Sequence, residues 1–531
     1  MIKKSYIYVF IFITFFIQYV NSDYGNKVNN FAYIDSSFIQ DFDSITPTAD
    51  SNIGSIIVTT ENNDKRQMRY ALYSVESDEM LNLRSLSRIK PSEFKFDPYF
   101  YSYGGGYLYP LGMWFYTLSK LEFLQIGDLN WMVNNPDIVE EIYKYGRVFV
   151  LIAFLFSAIL FYQTICTFNK PNIALLATLV YLTSPALIMF SIIMKPHAYA
   201  LLWCNLALLI LFKCWNSKAI LFKDILLIGV SVGFAVGSVL TFGLFALFVF
   251  FGLLYIVRDN NLKISSLIAI PLISLFTYVI LNPYLILNFD SFFLEYESQK
   301  KWFELDFNLI AFIDLLKNSV FLGLGLSYGI LLIYTLIIFF QKSATFWSRF
   351  NIIGVFITLL LISIIAASIS KWHVNSRYFF YLAPILLLIL INFKKKKINL
   401  FLIFLLALNL IQSFPLVLAY HDEDSERFST RLNSAIWINK NIDKTDTICT
   451  NGNSISPYDS PPFDFMSYLV VNNPNECEIL ISVERRSEYV DTDLNRNLLA
   501  RFRPRFSMEK FPFVYSHINP QISIYRLKNE K

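Results

Sequence analysis

Long apolar runs separated by short polar loops dominate this chain. A membrane-spanning helix needs about 20 apolar residues, and one run, 222–257, is too long for a single crossing at about 1.5 Å per residue. We therefore divide it near Leu240 into two spans. With 5–21 as an uncleaved first span, preferred over a signal peptide, the pattern predicts an all-α polytopic protein of about 11 transmembrane helices. The other predicted spans are 147–166, 172–191, 197–213, 264–282, 319–340, 351–369, 378–393 and 398–417.

The composition agrees with a membrane protein. Hydrophobic residues make up 55% of the chain, charged residues only 16%, and the mean hydropathy is +0.45, which excludes an ordinary soluble protein. The formal net charge of +4 is concentrated in a few loops, so it indicates membrane topology and not nucleic-acid binding.

One further apolar helix, Tyr107–Ile126, decides the topology, because it contains Pro110 and Lys120 and could either cross the membrane or lie on its surface. If it stays at the surface, the basic loops, including Lys394–Lys397, share one side, which the positive-inside rule assigns to the cytoplasm. We therefore expect juxtamembrane surface helices and a multi-pass protein of the plasma (inner) membrane. The first outer loop and the C-terminal region are then extracytoplasmic.

The pattern predicts two domains. Residues 1–420 form the transmembrane domain, with a large first outer loop at 22–146, and residues 421–531 form a small extracytoplasmic α/β domain. Cys449 and Cys477 lie in this second domain, where they could form a disulfide if it is outside the cytoplasm. The sequence alone leaves that pairing open.

Two adjacent carboxylates stand out in the first outer loop. Asp78 and Glu79 follow a possible helix N-cap, Ser77, and precede an amphipathic run that is typical of a helix on a membrane surface. Such first-turn acids commonly do no more than complement the helix dipole. Cationic and histidine side chains, however, collect on the same predicted outer surface, where they could hold the phosphate of a lipid headgroup while a carboxylate takes a proton from a hydroxyl. They are Arg147, Lys195, His197, Lys371, His373 and Arg377.

The ordered combination of these motifs resembles the GT-C superfamily of membrane glycosyltransferases. The nearest branch contains the protein O-mannosyltransferases and the aminoarabinose transferases (glycosyltransferase family 39-like), and the resemblance covers roughly residues 1–420. Two features depart from that branch: the outer turn Lys195–His197 lacks an acidic residue, and a long insertion precedes Asp78. The motifs are SDEM at 77–80, KFDPYFYSYGGGYLYPLG at 95–112, YKYGRVFVLIAF at 143–154, LNPYLI at 281–286 and HVNSRYFFYLAP at 373–384.

The resemblance implies an inverting transfer of a sugar from a polyprenyl-phosphate donor to an acceptor on the extracytoplasmic face. Asp78 would be the general base, Glu79 would bind the acceptor or a divalent metal ion, and Arg147 would hold the donor phosphate. No cofactor is certain, and the acceptor could be a lipid, a glycan or a protein. The further expected contacts are Lys371 and Arg377 with the donor phosphate, and Tyr103, Tyr107, His197 and His373 with substrate.

Two other functions stay open. A flippase or transporter for a lipid-linked sugar would need functional polar groups inside the spans, where Asn205 is the clearest example. An oligosaccharide polymerase or ligase would use the same donor class with a longer glycan. The chain has no Walker-type glycine loop, and we interpret Gly104–Gly106 as a place of close backbone approach between surface helices.

Overall fold

In a computed structural model the chain forms two compact units. Unit 1 comprises Met1–Val20, Ser85–Trp114 and Arg147–Phe414, and unit 2 comprises Asn21–Arg84, Phe115–Gly146 and Pro415–Lys531. The predicted division at 420/421 stays a prediction. The structure describes residues 6–25, 72–127, 131–132, 135–259, 265–300, 310, 313–314, 316–339, 376–393, 397–450, 460–464, 467–471, 476–484, 496–506 and 518–527.

The protein is mainly helical, and its apolar helices identify an integral membrane protein. The α-helices are α1 (Tyr6–Asn21), α2 (Ser77–Arg88), α3 (Gly105–Lys120), α4 (Pro136–Cys166), α5 (Pro171–Leu182), α6 (Pro185–Ser191), α7 (Pro196–Ser217), α8 (Phe222–Ser238), α9 (Phe245–Asp259), α10 (Ser265–Leu281), α11 (Tyr284–Leu287), α12 (Phe289–Lys300), α13 (Leu326–Phe339), α14 (Leu382–Phe393), α15 (Ile398–Glu423) and α16 (Thr430–Asn441). Short 3₁₀ turns cover Pro91–Glu93, Leu240–Leu244 and Ser376–Phe379, and a π-helix covers Leu316–Leu324.

Fewer helices reach spanning length than the predicted 11. In the part of the chain that is described, four helices are long and apolar enough to cross a membrane, or five if one bent pair forms a single span. Other predicted spans coincide with apolar helices of fewer than 18 residues, such as α1 with 16. The predicted span 351–369 lies outside the described residues. The helical membrane character is confirmed, whereas a GT-C arrangement of the spans stays a prediction.

Two predicted spans are interrupted. The span 172–191 bends by 70° between α5 and α6, because Pro185 follows Ser184 and a helix does not readily continue through the residue before a proline. The span 319–340 is interrupted at Gly325, between the π-helix that ends at Leu324 and the α-helix that begins at Leu326. The φ of Gly325, +123°, lies in a region that only glycine adopts easily. Each of these two predicted spans therefore consists of two helical segments and not of one continuous helix.

Three polar side chains of α15 stabilise both interruptions. Asn409 Nδ2 donates to the carbonyl of Val180 at 2.8 Å, and Ser413 Oγ donates to the carbonyl of Thr183 at 2.6 Å. Gln412 accepts from the backbone N–H of Leu326 at 2.9 Å and donates to the carbonyl of Leu322 at 2.9 Å. Backbone groups released by a helix break in an apolar interior need such partners.

The C-terminal part of unit 2 has the predicted α/β composition. Its five-stranded mixed sheet has the order β2-β1-β3-β5-β4, with α16 packed against it. Cys449 in β1 and Cys477 form a disulfide, which settles the pairing that the sequence left open. The strands are β1 (Thr447–Thr450), β2 (Leu469–Val470), β3 (Ile479–Glu484), β4 (Arg496–Phe502) and β5 (Gln521–Leu527).

The glycine run Gly104–Gly106 lies in unit 1 against the ends of two apolar helices. A Cβ at Gly104 would lie 1.9 Å from the carbonyl oxygen of Gly237, and one at Gly105 would lie 2.0 Å from that of Leu281. Asn282 completes the junction by accepting from the N–H of Gly105 at 2.9 Å. The predicted close backbone approach is confirmed, although its partners are the ends of α8 and α10. The division of 222–257 near Leu240 is confirmed as well.

We expect Gly104→Ala to destabilise the protein by about 1–3 kcal/mol, as overpacking of a close backbone contact typically does. The added methyl group meets backbone atoms that cannot rotate away, and it displaces Asn282 from Gly105. A thermal unfolding scan of the purified protein should show a lower midpoint. Gly243→Ala is the matched control, because nothing lies within 4 Å of the added carbon there. Equal midpoints for the two variants would contradict the role of this junction.

Candidate active site

The predicted catalytic carboxylates lie in unit 2, in the first turn of α2. Glu79 is fully buried, at 0% exposure, and its carboxylate accepts from Ser74 Oγ at 2.7 Å. Asp78 is half-buried, so it is the carboxylate of the pair that an acceptor molecule reaches more easily. Glu79 is therefore the more enclosed of the two carboxylates, and Asp78 is the more accessible one. Their catalytic roles stay predictions.

Two contacts fix the chain around this pair within unit 2. The hydroxyl of Tyr143 donates to the carbonyl of Leu72 at 2.5 Å, and Lys144 forms a salt bridge with Asp23 at 2.8 Å. Tyr143 thus holds the segment that leads into α2, and Lys144 holds the chain just after α1. Preorganisation of this kind keeps a catalytic group in place without a loss of entropy during the reaction.

The resemblance implied that Glu79 could bind a divalent metal ion, which would require further ligands nearby. Among the residues that the structure describes, no group of three or more His, Cys, Asp or Glu side chains is placed to hold a metal ion. Glu79 itself accepts a hydrogen bond from Ser74. We therefore assign no step of the reaction to a metal ion at this position.

Unit 1 brings together three of the residues predicted to bind substrate. The ring centres of Tyr103 and His197 lie 6.0 Å apart. The ring centre of Tyr107 lies 5.6 Å from that of Tyr199, which is two residues after His197 on α7. His197 is only 1% exposed. The ring centres of Phe190 and Phe380 lie 5.7 Å and 6.4 Å from the centre of its ring. The segment after α2 and the start of α7 therefore form one aromatic cluster.

The predicted phosphate ligands have different environments. Arg147, also in unit 1, is 1% exposed, which excludes the simple alternative of a side chain extending to water at a helix end. Phe149 is two residues after Arg147, and its ring centre lies 6.3 Å from that of Tyr107 and 5.3 Å from that of Tyr199. A guanidinium at this depth can stabilise a developing anion strongly, because water screens it little.

Of the remaining predicted residues, Arg377 lies in the 3₁₀ turn Ser376–Phe379, three positions before Phe380. It is half-buried, and its guanidinium lies 5.3 Å from the centre of the Tyr378 ring. The turn therefore connects it to the aromatic cluster around His197. Lys371 and His373 lie outside the described residues.

The sequence did not point to a second polar cluster, built around Glu295 of α12. This carboxylate is 2% exposed and accepts from the N–H groups of Tyr101 and Ser102, at 2.7 Å and 2.9 Å, and from the Ser102 hydroxyl. Burial raises the pKa of Glu295 above its ordinary value, and these hydrogen bonds oppose the rise. No local signal marked Glu295, because the same helix also contains the acids Asp290 and Glu297.

Asp97 forms the other half of this cluster. It accepts from the Tyr101 hydroxyl at 3.1 Å, from the N–H of Tyr99 at 2.9 Å and from Asn288 Nδ2 at 2.7 Å. Burial, followed by the nearby Asp97 charge, raises the pKa of Tyr101 well above its ordinary value, so that its hydroxyl keeps its proton. Glu295 therefore fixes the segment 97–102 to α12, and Asp97 fixes the segment to Asn288, the residue directly before that helix.

Comparison with known proteins adds little to this geometry. No protein-family model matches the chain, and no curated protein matches it. Among solved structures, the chain is similar to an oligosaccharyltransferase from Archaeoglobus fulgidus, crystallised in complex with Zn and sulfate. The alignment covers 88% of this chain and 68% of the oligosaccharyltransferase chain. The sequence identity is 13% and the TM-score is 0.34. At that level the alignment establishes neither a shared fold nor a shared function, so the function must be argued from the residues of this chain.

Proposed function

We propose that this protein is an integral membrane glycosyltransferase that uses a polyprenyl-phosphate sugar as donor and acts on the extracytoplasmic face. The observation that carries the proposal is the convergence of Tyr103, Tyr107 and His197 in unit 1. Tyr103 and Tyr107 come from one segment and His197 from another far away in the sequence, and the resemblance assigned all three to one substrate site. Buried Arg147, on the same helix as Phe149, adds the cation that such a donor requires.

The reaction is a single displacement. An acceptor hydroxyl attacks the anomeric carbon of the donor sugar, and Asp78 takes the hydroxyl proton as the new bond forms. The bond between that carbon and the phosphate oxygen breaks, and the phosphate leaves with the electron pair. Arg147 stabilises the charge that develops on this phosphate. Attack from the face opposite the leaving group inverts the anomeric centre.

The disulfide supports the extracytoplasmic side of this proposal. Disulfides persist in oxidising compartments and are rare in the cytosol. Cys449 and Cys477 are bonded within unit 2, the unit that also contains Asp78. One compartment therefore accommodates both the bonded cysteines and the proposed base, in agreement with the distribution of lysines and arginines.

The polar network on α15 favours a second candidate, a flippase without catalysis. Broken helices within membranes commonly bind transported substrates, and Asn409, Gln412 and Ser413 lie at two such breaks. All three are uncharged, however, and their hydrogen bonds go to backbone groups that the breaks release. This pattern is that of a structural support, so we rank transport second.

The direct test supplies reconstituted protein with polyprenyl-phosphate monosaccharides and with membrane extract that contains native acceptors. We expect time-dependent release of polyprenyl phosphate together with a glycosylated product, both measured by mass spectrometry. Donors with long glycans, tested in parallel, separate a monosaccharide transferase from a polymerase or ligase. Movement of the intact donor between leaflets without release of phosphate would instead establish the flippase.

A further inference from the structure

The backbone on both sides of Tyr103 is held by partners from distant parts of unit 1. The N–H of Ser102, directly before it, donates to the Glu295 carboxylate at 2.9 Å. The N–H of Gly104, directly after it, donates to the carbonyl of Ser238 at the end of α8, at 3.0 Å. Tyr103, a member of the aromatic cluster predicted to bind substrate, is therefore fixed between two anchors.

The Glu295 anchor holds two successive residues. One carboxylate oxygen accepts from the N–H of Tyr101 at 2.7 Å, and the other accepts from the N–H of Ser102 and from its hydroxyl. Hydrogen bonds to an ionised acceptor are about twice as strong as those between neutral groups, and water competes little for a carboxylate that is 2% exposed. A carboxylate that accepts from two successive N–H groups fixes the direction of the backbone as well as its position.

One face of α12 supplies this anchor. Asn288, directly before the helix, is followed by Phe292 four residues later and by Glu295 three residues after that, a spacing that places all three on one face. The Asn288 side chain donates to Asp97 at 2.7 Å, and the Phe292 ring centre lies 5.9 Å from that of Tyr101. The segment that leads into α3 is thus held on the helix at three places, and the carboxylate holds the last of them.

The orientation of the Tyr103 ring depends on this backbone. Its plane meets those of His197 and Phe100 edge to face, with ring centres 6.0 Å and 5.2 Å apart, and aromatic pairs prefer particular relative orientations. Both members of the first pair are enclosed, Tyr103 at 7% exposure and His197 at 1%. A small rotation of the backbone would therefore move the Tyr103 ring away from His197 and open the histidine to solvent.

We propose that Glu295 is a positioning residue for substrate binding, which holds the backbone at 101–102 so that the Tyr103 ring lies against His197. Both of its oxygens accept hydrogen bonds from this segment, so it acts through Tyr103 and not by contact with substrate. The inference rests on the proposed function and deepens it, because it extends the substrate site to a carboxylate of α12 that lies outside every motif of the resemblance.

The first test measures the anchor without any reaction, in the full chain in nanodiscs. Glu295→Gln keeps the shape of the side chain, but its amide nitrogen cannot accept, so at least one N–H loses its acceptor. We expect hydrogen exchange at Tyr101 and Ser102 to become about 10- to 100-fold faster, as the loss of a hydrogen bond to a charged group typically allows. Asp290→Asn, at an exposed position of the same helix, is the matched control and should leave these rates unchanged.

Diethyl pyrocarbonate then reports on the contact between Tyr103 and His197. It modifies histidines that solvent reaches, and mass spectrometry locates the product on the peptide that contains His197. We expect faster modification in Glu295→Gln and in Tyr103→Ala, because either change uncovers the imidazole. The double variant should react no faster than Tyr103→Ala, since two changes that act through one contact are not additive.

Ser102→Ala guards against a simple folding defect. It removes only the hydroxyl that donates to Glu295 and keeps both N–H groups, so modification of His197 should increase less than in Glu295→Gln. Unchanged exchange at 101–102 in Glu295→Gln, unchanged modification of His197, or additive effects in the double variant would each overturn the positioning role.

The kinetic test connects the anchor to the proposed function. Tyr103→Ala identifies which apparent KM depends on the ring, that for the polyprenyl-phosphate sugar or that for the acceptor. We expect Glu295→Gln to raise the same KM about two- to tenfold, as weakening of an aromatic contact typically does. The kcat should stay nearly unchanged, because the contact is made equally in the ground state and the transition state. A lower kcat with an unchanged KM would contradict the proposal.

Failure of the proposed function has a different signature. A wild-type protein that releases no polyprenyl phosphate would reject glycosyl transfer, whereas the exchange and modification rates would still decide whether Glu295 positions Tyr103.

Discussion

Asp78→Asn is expected to lower turnover about 10²- to 10⁴-fold, the usual cost of removing a general base. Asn has nearly the shape of Asp but cannot accept the proton of the attacking hydroxyl. Asp78 is half-buried at the start of α2, so the substitution leaves no deeply buried cavity. Turnover is measured as polyprenyl phosphate released per protein molecule under saturating donor.

The matched control for this variant is Glu93→Gln, which also removes one carboxylate charge. Glu93 is exposed and pairs only with Lys90 and Lys95 among the ion pairs seen in the described residues, so its loss should change turnover less than twofold, because surface ion pairs contribute at most about 1 kcal/mol. A thermal midpoint for Asp78→Asn near that of wild type would exclude misfolding. Full turnover by the variant would remove Asp78 from the mechanism.

Helical character and the α/β tail could be predicted because they depend on local patterns. Apolar runs long enough to span a membrane can hardly be anything but helices, and the runs Glu478–Val483 and Gln521–Arg526, rich in Ile and Val, are typical of strands. The hydropathy pattern did not predict the break between α5 and α6, although the sequence Ser184-Pro185 indicates it. The apolar run continues through that pair, and hydropathy is insensitive to backbone geometry.

The polar cluster around Glu295 could not be predicted from local patterns. Its partner Tyr101 is 194 residues away in the chain, and the motif at 95–112 that contains Tyr101 gives no indication of Glu295. Only the folded protein shows that two carboxylates hold the segment leading into α3. In contrast, the pair Asp78 and Glu79 could be found because the two acids are adjacent, although their unequal burial depends on Ser74 and on packing.

Where α15 enters the α/β part of unit 2, the sequence again shows the charged residues but not their partners. Glu423 accepts from Arg431 and from the N–H of Asn519, and both charged side chains are fully buried, at 0% exposure. The residue directly before Glu423, Asp422, accepts two hydrogen bonds from Arg505, at 2.7 Å and 3.0 Å. Three consecutive acids, at 422–424, would suit a solvated segment, yet Asp422 and Glu423 are both at 0% exposure, like Arg431.

We expect Arg431→Met to destabilise this junction by about 3–5 kcal/mol, the typical cost of removing one partner of a buried ion pair. Met fills a similar volume, so the loss comes mainly from the Glu423 carboxylate left without its counter-charge. Hydrogen exchange of the full-length protein in nanodiscs should show faster exchange throughout α16, whose N-terminal turn contains Arg431. Lys440→Met, at an exposed position of the same helix, should leave these rates unchanged.

A double variant shows whether charge or shape is responsible. Because apolar replacement of both partners of a buried pair is often neutral or stabilising, Glu423→Leu combined with Arg431→Met should recover much of the protection that the single variant loses. The N–H of Asn519 then loses its acceptor, so recovery should be incomplete by about 1–3 kcal/mol. If the double variant exchanged as fast as Arg431→Met, the junction would depend on the shape of the arginine side chain and not on its pairing with Glu423.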